Sequence, residues 1–151
     1  MIKKKALWII PGLLVLVIDR LVKAVTADRI YRTLIPGVLA LHPTRNTGMA
    51  LGLFQDHSYA ILAVSVILVM LGIRVIKRLK PAELAAVSIS MIAGGALGNM
   101  IDRIAYGYVI DMFEVLFMDF YIFNVADAGV VIGAVLCGVS LLFRPQDWRG
   151  Q

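Results

Sequence analysis

The chain has 151 residues, 60% of them hydrophobic and 17% charged, with a formal net charge of +5. An ordinary water-soluble domain carries about 45–50% apolar residues, and a mean hydropathy of +0.87 with the apolar residues gathered in blocks is a membrane signature instead. The basic residues collect at the ends of those blocks and form no continuous basic face interleaved with aromatics, which argues against nucleic acid as a partner. No segment between the blocks reads as a linker, and the chain shows no internal repeat or low-complexity tract, so a single domain over 1–151 is expected.

The first apolar block runs from Ala6 to about Val25, after Lys3, Lys4 and Lys5. No small-residue cleavage site closes it, and Asp19 and Lys23 continue its helical pattern, so it reads as a retained helix rather than a signal peptide. Between Thr33 and Phe54, apolar runs at Leu34–Leu41 and Met49–Phe54 flank the turn-rich stretch His42 to Gly48. These runs are too short to span a bilayer and predict a small sheet against the membrane surface. Further helices are expected at about 58–76, 84–101 and 126–143, which makes four transmembrane segments. The second and fourth fall a little short of the roughly 20 residues a bilayer requires, so charged side chains at their ends must snorkel outward. Cys137, the only cysteine, lies inside the fourth block; it can form no intramolecular disulfide and reads as a small buried hydrophobe.

An even number of spans puts both termini on one side. Nine of the 15 basic residues then share that side (Lys3, Lys4, Lys5, Arg74, Lys77, Arg78, Lys80, Arg144 and Arg149), against Arg20, Lys23, Arg29, Arg32, Arg45 and Arg103 opposite. The positive-inside rule places both termini in the cytoplasm, with residues 27–57 and 102–125 facing outward.

Charge at mid-bilayer costs roughly 2.5–3.5 kcal/mol on insertion scales, yet four acids gather at the outward ends of the spans: Asp19, Asp102, Asp111 and Asp127. Asp127 opens an apolar helix, where Asn124 or Asp127 could simply cap free backbone N–H groups. Asp111 lies in Gly107-Tyr108-Val109-Ile110-Asp111 among apolar neighbours, which makes it a functional candidate. Two carboxylates about 3 Å apart cannot both ionise; they share a proton, and the ionised partner can activate a water while the protonated one polarises a carbonyl. Other hydrolytic routes lack parts. There is no His-Glu-x-x-His, His42 and His57 stand apart in an outward segment, and there is no Gly-x-Ser-x-Gly. The nearest approach to Asp-Thr-Gly is Asn46-Thr47-Gly48, which has no carboxylate.

The surrounding residues admit plainer readings. Asp19 and Lys23 are four apart on one helix face and can form an ion pair. Gly94, Gly95 and Gly98 give the third block a face that a neighbouring helix can approach closely. Asn99 projects toward the outward region, and Asp102-Arg103 could be no more than an interfacial charge pair. Phe113, Phe117, Phe120, Tyr121 and Phe123 read as an aromatic belt or as a cover over a site, with Asp119 among them as a solvated turn residue.

Gly94 to Arg103, Gly107 to Asp111 and Phe123 to Asp127, together with Asn46-Thr47-Gly48-Met49-Ala50 and the Asp19-x-x-x-Lys23 pair, resemble the bacterial lipoprotein signal peptidase (signal peptidase II) family. The matches run in order over nearly the whole chain. The resemblance implies a membrane α-helical fold of four transmembrane helices, a small extracytoplasmic sheet and an interfacial helix beside the site. It implies an aspartyl endopeptidase that removes signal peptides from diacylglyceryl-modified prolipoproteins before the lipidated cysteine. Such an enzyme would work at the outer face of the bacterial cytoplasmic membrane and be sensitive to globomycin-like peptides. The family's catalytic aspartates fall on Asp111 and Asp127, and its substrate-contacting and supporting positions on Asp19, Lys23, Asn46, Gly48, Asn99, Arg103 and Asn124. Asp102 matches a motif residue outside the dyad. The family uses no metal or organic cofactor; the expected partners are prolipoprotein and membrane lipid, and the expected state is a monomer.

Three positions depart from the family: Val22 replaces a small hydroxyl residue, Leu51 replaces phenylalanine, and the spacer from Met112 to Ala126 is short. Two other classes compete with the peptidase. A transporter would place ionisable groups near the bilayer midplane, where the second and fourth blocks have none. A scaffold whose acids only cap helices would tolerate loss of either Asp111 or Asp127.

Overall fold

The computed structural model describes residues 8–49, 53–81 and 83–148. Ala50 of the Asn-x-Gly-x-Ala block, Leu51 after it, and the first two residues of the expected first helix lie outside them.

Four α-helices are present among the described residues. Helix α1 (Ile10–Thr26) starts with Pro11 in its first turn, where a missing N–H is harmless. Helix α2 (Ser58–Leu79) ends on Lys80, whose N–H returns to the Ile76 carbonyl, with Lys77 and Arg78 at the negative end of the dipole. Helix α3 (Glu83–Tyr106) stops at Gly107, which takes φ +78° and bonds back to the Arg103 carbonyl. Helix α4 (Val125–Phe143) opens in a reciprocal capping box: Asn124 Oδ1 accepts the Asp127 N–H, and the Asp127 carboxylate accepts the Asn124 N–H. A short 3₁₀ turn (Pro145–Trp148) follows. Among the described residues, three helices (α2, α3 and α4) are long and apolar enough to cross a bilayer; α1 has 17 residues.

Helices α1, α3 and α4 pack on one another, and glycine decides how closely. A Cβ on Gly94 would run into the Gly12 backbone of α1, and one on Gly95 into the Ala126 carbonyl of α4. A Cβ on Gly98 would sit 2.7 Å from the Asp19 carboxylate and 3.2 Å from the Ala126 side chain. The small-residue face legible in the sequence is therefore the contact surface for two helices at once. Helix α2 leans chiefly on α3 and keeps Val64, Ile67, Leu68 and Leu71 exposed, a surface suited to hydrocarbon and not to water.

The sheet corrects three expectations. Leu34–Leu41 is not one strand: Pro36, Gly37 (φ +70°) and Val38 turn the chain between β1 (Arg32–Ile35) and β2 (Leu39–Asn46). The stretch from His42 to Asn46, expected as a turn, continues β2; Pro43 is accommodated by a register shift between Leu41 and Thr44, where a missing ladder N–H does least harm. Met49, Leu53 and Phe54 are not in a strand. The third strand comes instead from the second expected outward segment: β3 (Val109–Val115) pairs antiparallel with β2, giving the order β1-β2-β3. The interfacial helix that the resemblance implies is not found in the second outward segment. Beyond the end of α3, residues 107–124 hold β3, a loop and a bridge from Phe113 to Phe123, and no helix.

Candidate active site

Asp111 and Asp127 stand 16 residues apart, on β3 and on the first turn of α4, and both line one cavity of about 70 Å³. Asn46, Met49, Asn99, Arg103, Val109 and Tyr121 complete its wall. Each element has a local reason to aim its side chain there. Val109 and Asp111 are two apart on a strand and so share a face. Asn46 pairs with Val109 in register, which puts its amide diagonal to Asp111. Asn99 and Arg103 are one turn apart on α3, and Asp127 is held by the capping box.

Three asparagines tie the two acids together. Asn46 Nδ2 donates to Asp111 Oδ2 at 2.9 Å, and Asn124 Nδ2 donates to Asp111 Oδ1 at 2.6 Å. Asn99 Nδ2 donates to Asp127 Oδ1 at 2.7 Å, while the Asn99 carbonyl oxygen accepts from Asn124 Nδ2 at 3.0 Å. Asn124 is fully buried and touches both acids, through its amide to Asp111 and its backbone to Asp127. Burial, and then the Asp127 charge, push the Asp111 carboxyl up to about 6, against the opposing effect of the Asn46 and Asn124 amides. Burial likewise raises the Tyr121 hydroxyl, which stays neutral.

The other expected site residues divide into two groups. Arg103 lines the cavity, and Gly48 is bonded to two of its lining residues: Arg103 Nη2 donates to the Gly48 carbonyl at 2.8 Å, and the Gly48 N–H donates to Asn46 Oδ1 at 2.9 Å. Arg103 is 7% exposed, and its Nε is buried without a partner. Among the described residues no carboxylate comes within ion-pair distance of it, so Asp102-Arg103 is not a charge pair. Asp19 and Lys23 are buried but do not line the cavity. Lys23 Nζ donates to Asn99 Oδ1 at 3.0 Å and forms ion pairs with Asp19 Oδ2 at 3.0 Å and Asp102 Oδ2 at 2.7 Å.

Tyr121, Met49 and Val109 were not singled out from the sequence as site residues. Tyr121 was legible only as one of five aromatics that could cover a site, and Met49 and Val109 only as members of the Asn46–Ala50 and Gly107–Asp111 blocks. Arg20 entered only as an orientation charge, yet it bridges Asp19 and Asp102.

With the geometry in place, the comparisons are specific. Residues 12–143 match the family model described as signal peptidase (SPase) II. The chain is 31% identical over 145 residues to the lipoprotein signal peptidase of Streptococcus pneumoniae, covering 93% of this chain and 95% of that protein. It is 40% identical over 135 residues to the lipoprotein signal peptidase of Syntrophomonas wolfei, covering 86% and 89%. A bacterial membrane enzyme solved by the in meso method at 2.3 Å superposes with a TM-score of 0.84 at 28% identity, over 91% of this chain and 88% of that one. The chain belongs to the signal peptidase II family, and it is a membrane peptidase of that family's aspartic type.

Proposed function

We propose that this peptidase removes the signal peptide of diacylglyceryl-modified prolipoproteins, cutting before the lipidated cysteine with water activated between Asp111 and Asp127. One observation carries the reading: two acids distant in sequence reach one small cavity and are joined by Asn124, which touches both. The cavity volume of about 70 Å³ exceeds the roughly 10–15 Å³ that one water requires. The names of the relatives supply the substrate class.

In this reading α1 is the fourth span. Both termini are cytoplasmic and the sheet lies outward, in accord with the 9-to-6 partition of basic residues. The lipid anchor confines the substrate to the membrane surface, each buried CH₂ contributing roughly 0.8 kcal/mol. The pair works with one proton. Asp111 keeps it up to about pH 6 and donates toward the scissile carbonyl, while the ionised Asp127 takes a proton from the attacking water. The apparent values belong to the pair, so kcat/KM of the free enzyme falls as pH rises above about 6, when that proton leaves. Arg103, buried with one N–H unpartnered, is the available donor for charge developing on the carbonyl oxygen.

The test is cleavage of a diacylglyceryl-modified precursor and its unmodified twin by the purified protein and by Asp111→Asn and Asp127→Asn. The lipidated substrate alone is cut, and each variant loses at least about 10³-fold in turnover while remaining folded. Near-normal turnover in either variant removes the dyad from the mechanism, and equal cleavage of both precursors removes the lipid requirement.

A further inference from the structure

Behind the cavity lies a second charged group that the proposed chemistry does not use. Asp19 and Asp102 are both fully buried, and Lys23 is 2% exposed; Arg20, with its side chain 28% exposed, closes the set. Arg20 Nη2 lies 2.9 Å from Asp19 Oδ2 and 2.7 Å from Asp102 Oδ1. The Asp102 approach is a close charge contact and not an aligned hydrogen bond. Lys23 Nζ reaches the same two carboxylates from the other side. Two acids and two bases make a neutral quartet, which is the condition for burying charge at modest cost.

Each acid also accepts a backbone N–H beside the dyad, Asp19 through the oxygen the bases leave free and Asp102 through the one that Lys23 also touches. Asp19 Oδ1 accepts the Ala126 N–H at 3.0 Å, one residue before Asp127. Asp102 Oδ2 accepts the Ile110 N–H at 3.2 Å, one residue before Asp111. The residue before each member of the dyad is thus held at its N–H by a different acid, and Arg20 and Lys23 tie those acids to each other. A structural ion cluster could sit anywhere on three packed helices. This one grips the same backbone position, the residue before, at both reacting groups.

We infer that Arg20 and Asp102 are positioning residues for the peptidase reaction: with Asp19 and Lys23 they set the separation of Asp111 and Asp127 and keep the charge behind them balanced. The inference rests on the dyad reading above. Misplacing catalytic groups by about 1 Å costs about 10²-fold in rate, so loss of the link is expected in kcat, with KM little changed because no quartet residue lines the cavity. Charge balance adds a readout with a sign. The charged and titratable groups around the dyad are Lys23, Asp19 and Arg20 from α1, Asp102 and Arg103 from α3, and the neutral Tyr121 from the loop after β3. Arg20→Met leaves the quartet at −1, which disfavours ionisation of the dyad and moves the alkaline limb of kcat/KM to higher pH. Asp102→Asn leaves it at +1 and moves the same limb to lower pH. Arg20→Lys preserves the balance and restores most of the rate.

The experiment is the pH profile of cleavage of the lipidated precursor by the wild-type protein, Arg20→Met, Arg20→Lys and Asp102→Asn, with thermal unfolding of each in detergent and Asp111→Asn in parallel. Support consists of kcat lowered about 10–100-fold in Arg20→Met and Asp102→Asn, limbs displaced in opposite directions, and recovery in Arg20→Lys. Limbs that stay fixed, or move the same way, while Tm falls would assign the quartet to stability alone and overturn the inference. Wild-type kcat in Arg20→Met overturns it as well. If Asp111→Asn retains turnover, the dyad reading fails and the inference fails with it; if Asp111→Asn is inactive while the quartet variants keep wild-type kcat or unmoved limbs, the inference alone fails and the dyad stands.

Discussion

Helix α2 and the α1–α3–α4 trio are built by opposite rules, although each is an apolar helix set for the same solvent. Helix α2 buries none of its hydrophobic window and leaves side chains such as Leu68 and Met70 exposed. The trio brings glycines to its contacts and encloses aspartates, a lysine and an arginine. Hydrocarbon offers little driving force for one apolar helix to leave lipid for another, so association follows close backbone approach and polar contacts. The trio has both, and it carries every charged group of the site except Asp111. Helix α2 has neither, and carries none.

The sharpest way to break this contrast is to add bulk to the trio. Gly98→Leu forces a side chain against the Asp19 carboxylate and the Ala126 methyl group, two groups that cannot yield without moving α1 from α4. Overpacking of this kind costs about 1–3 kcal/mol. Here it also displaces the carboxylate that holds the Ala126 N–H, so cleavage falls to background while Tm drops.

The next effect comes from Asn124, at once a helix cap and the bridge of the dyad. Asn124→Ala removes the acceptor for the Asp127 N–H and the donor to Asp111. Loss of the cap costs roughly 0.5–2 kcal/mol, and loosening the dyad should lower kcat about 10²-fold. Asn124→Ser keeps a capping oxygen and should recover the stability without the rate. Equal recovery of both would show that Asn124 acts as a cap alone.

The two regions differ in the same way in how far the sequence disclosed them. The blocks, the glycine face and the outward acids were legible because hydropathy and helical spacing are local. The origin of β3 was not: Val109–Val115 reads as an apolar run beside aromatics, and its partner is the Pro-containing β2, more than 60 residues away. Asp102 and Arg20 were legible as charges but not as a link, because a sequence does not say which buried acid will meet which base. Asn124 was seen as a possible cap, and the capping box is there, yet its contact with Asp111 depends on a strand the sequence did not reveal.

Asp111 gives a smaller effect that separates function from stability. Its carboxyl is raised in the folded protein from 3.8 to about 6. The folded state therefore holds the proton more tightly than the unfolded chain, and the associated stability is complete below about pH 4 and lost as pH rises through about 6. Asp111→Asn has no such titration. Its Tm relative to wild type should be higher at pH 8 than at pH 4.5, even though it does not cleave. A difference in Tm that is the same at both pH values would mean that Asp111 is not penalised for ionising.

The smallest effect is expected in α2, and it tests the contrast from the other side. Nothing lies within 4 Å of a Cβ built on Gly72, so Gly72→Ala meets no backbone and strains no neighbour. Glycine inside a helix is less favourable than alanine by about 0.5–1 kcal/mol. The variant should therefore keep wild-type cleavage with a Tm equal or slightly higher, while Gly98→Ala, its counterpart in the trio, brings a methyl group 2.7 Å from the Asp19 carboxylate and loses activity. If Gly72→Ala also impairs cleavage, α2 is coupled to the site through α3, and the division of the bundle into a lipid-facing helix and a working trio is wrong.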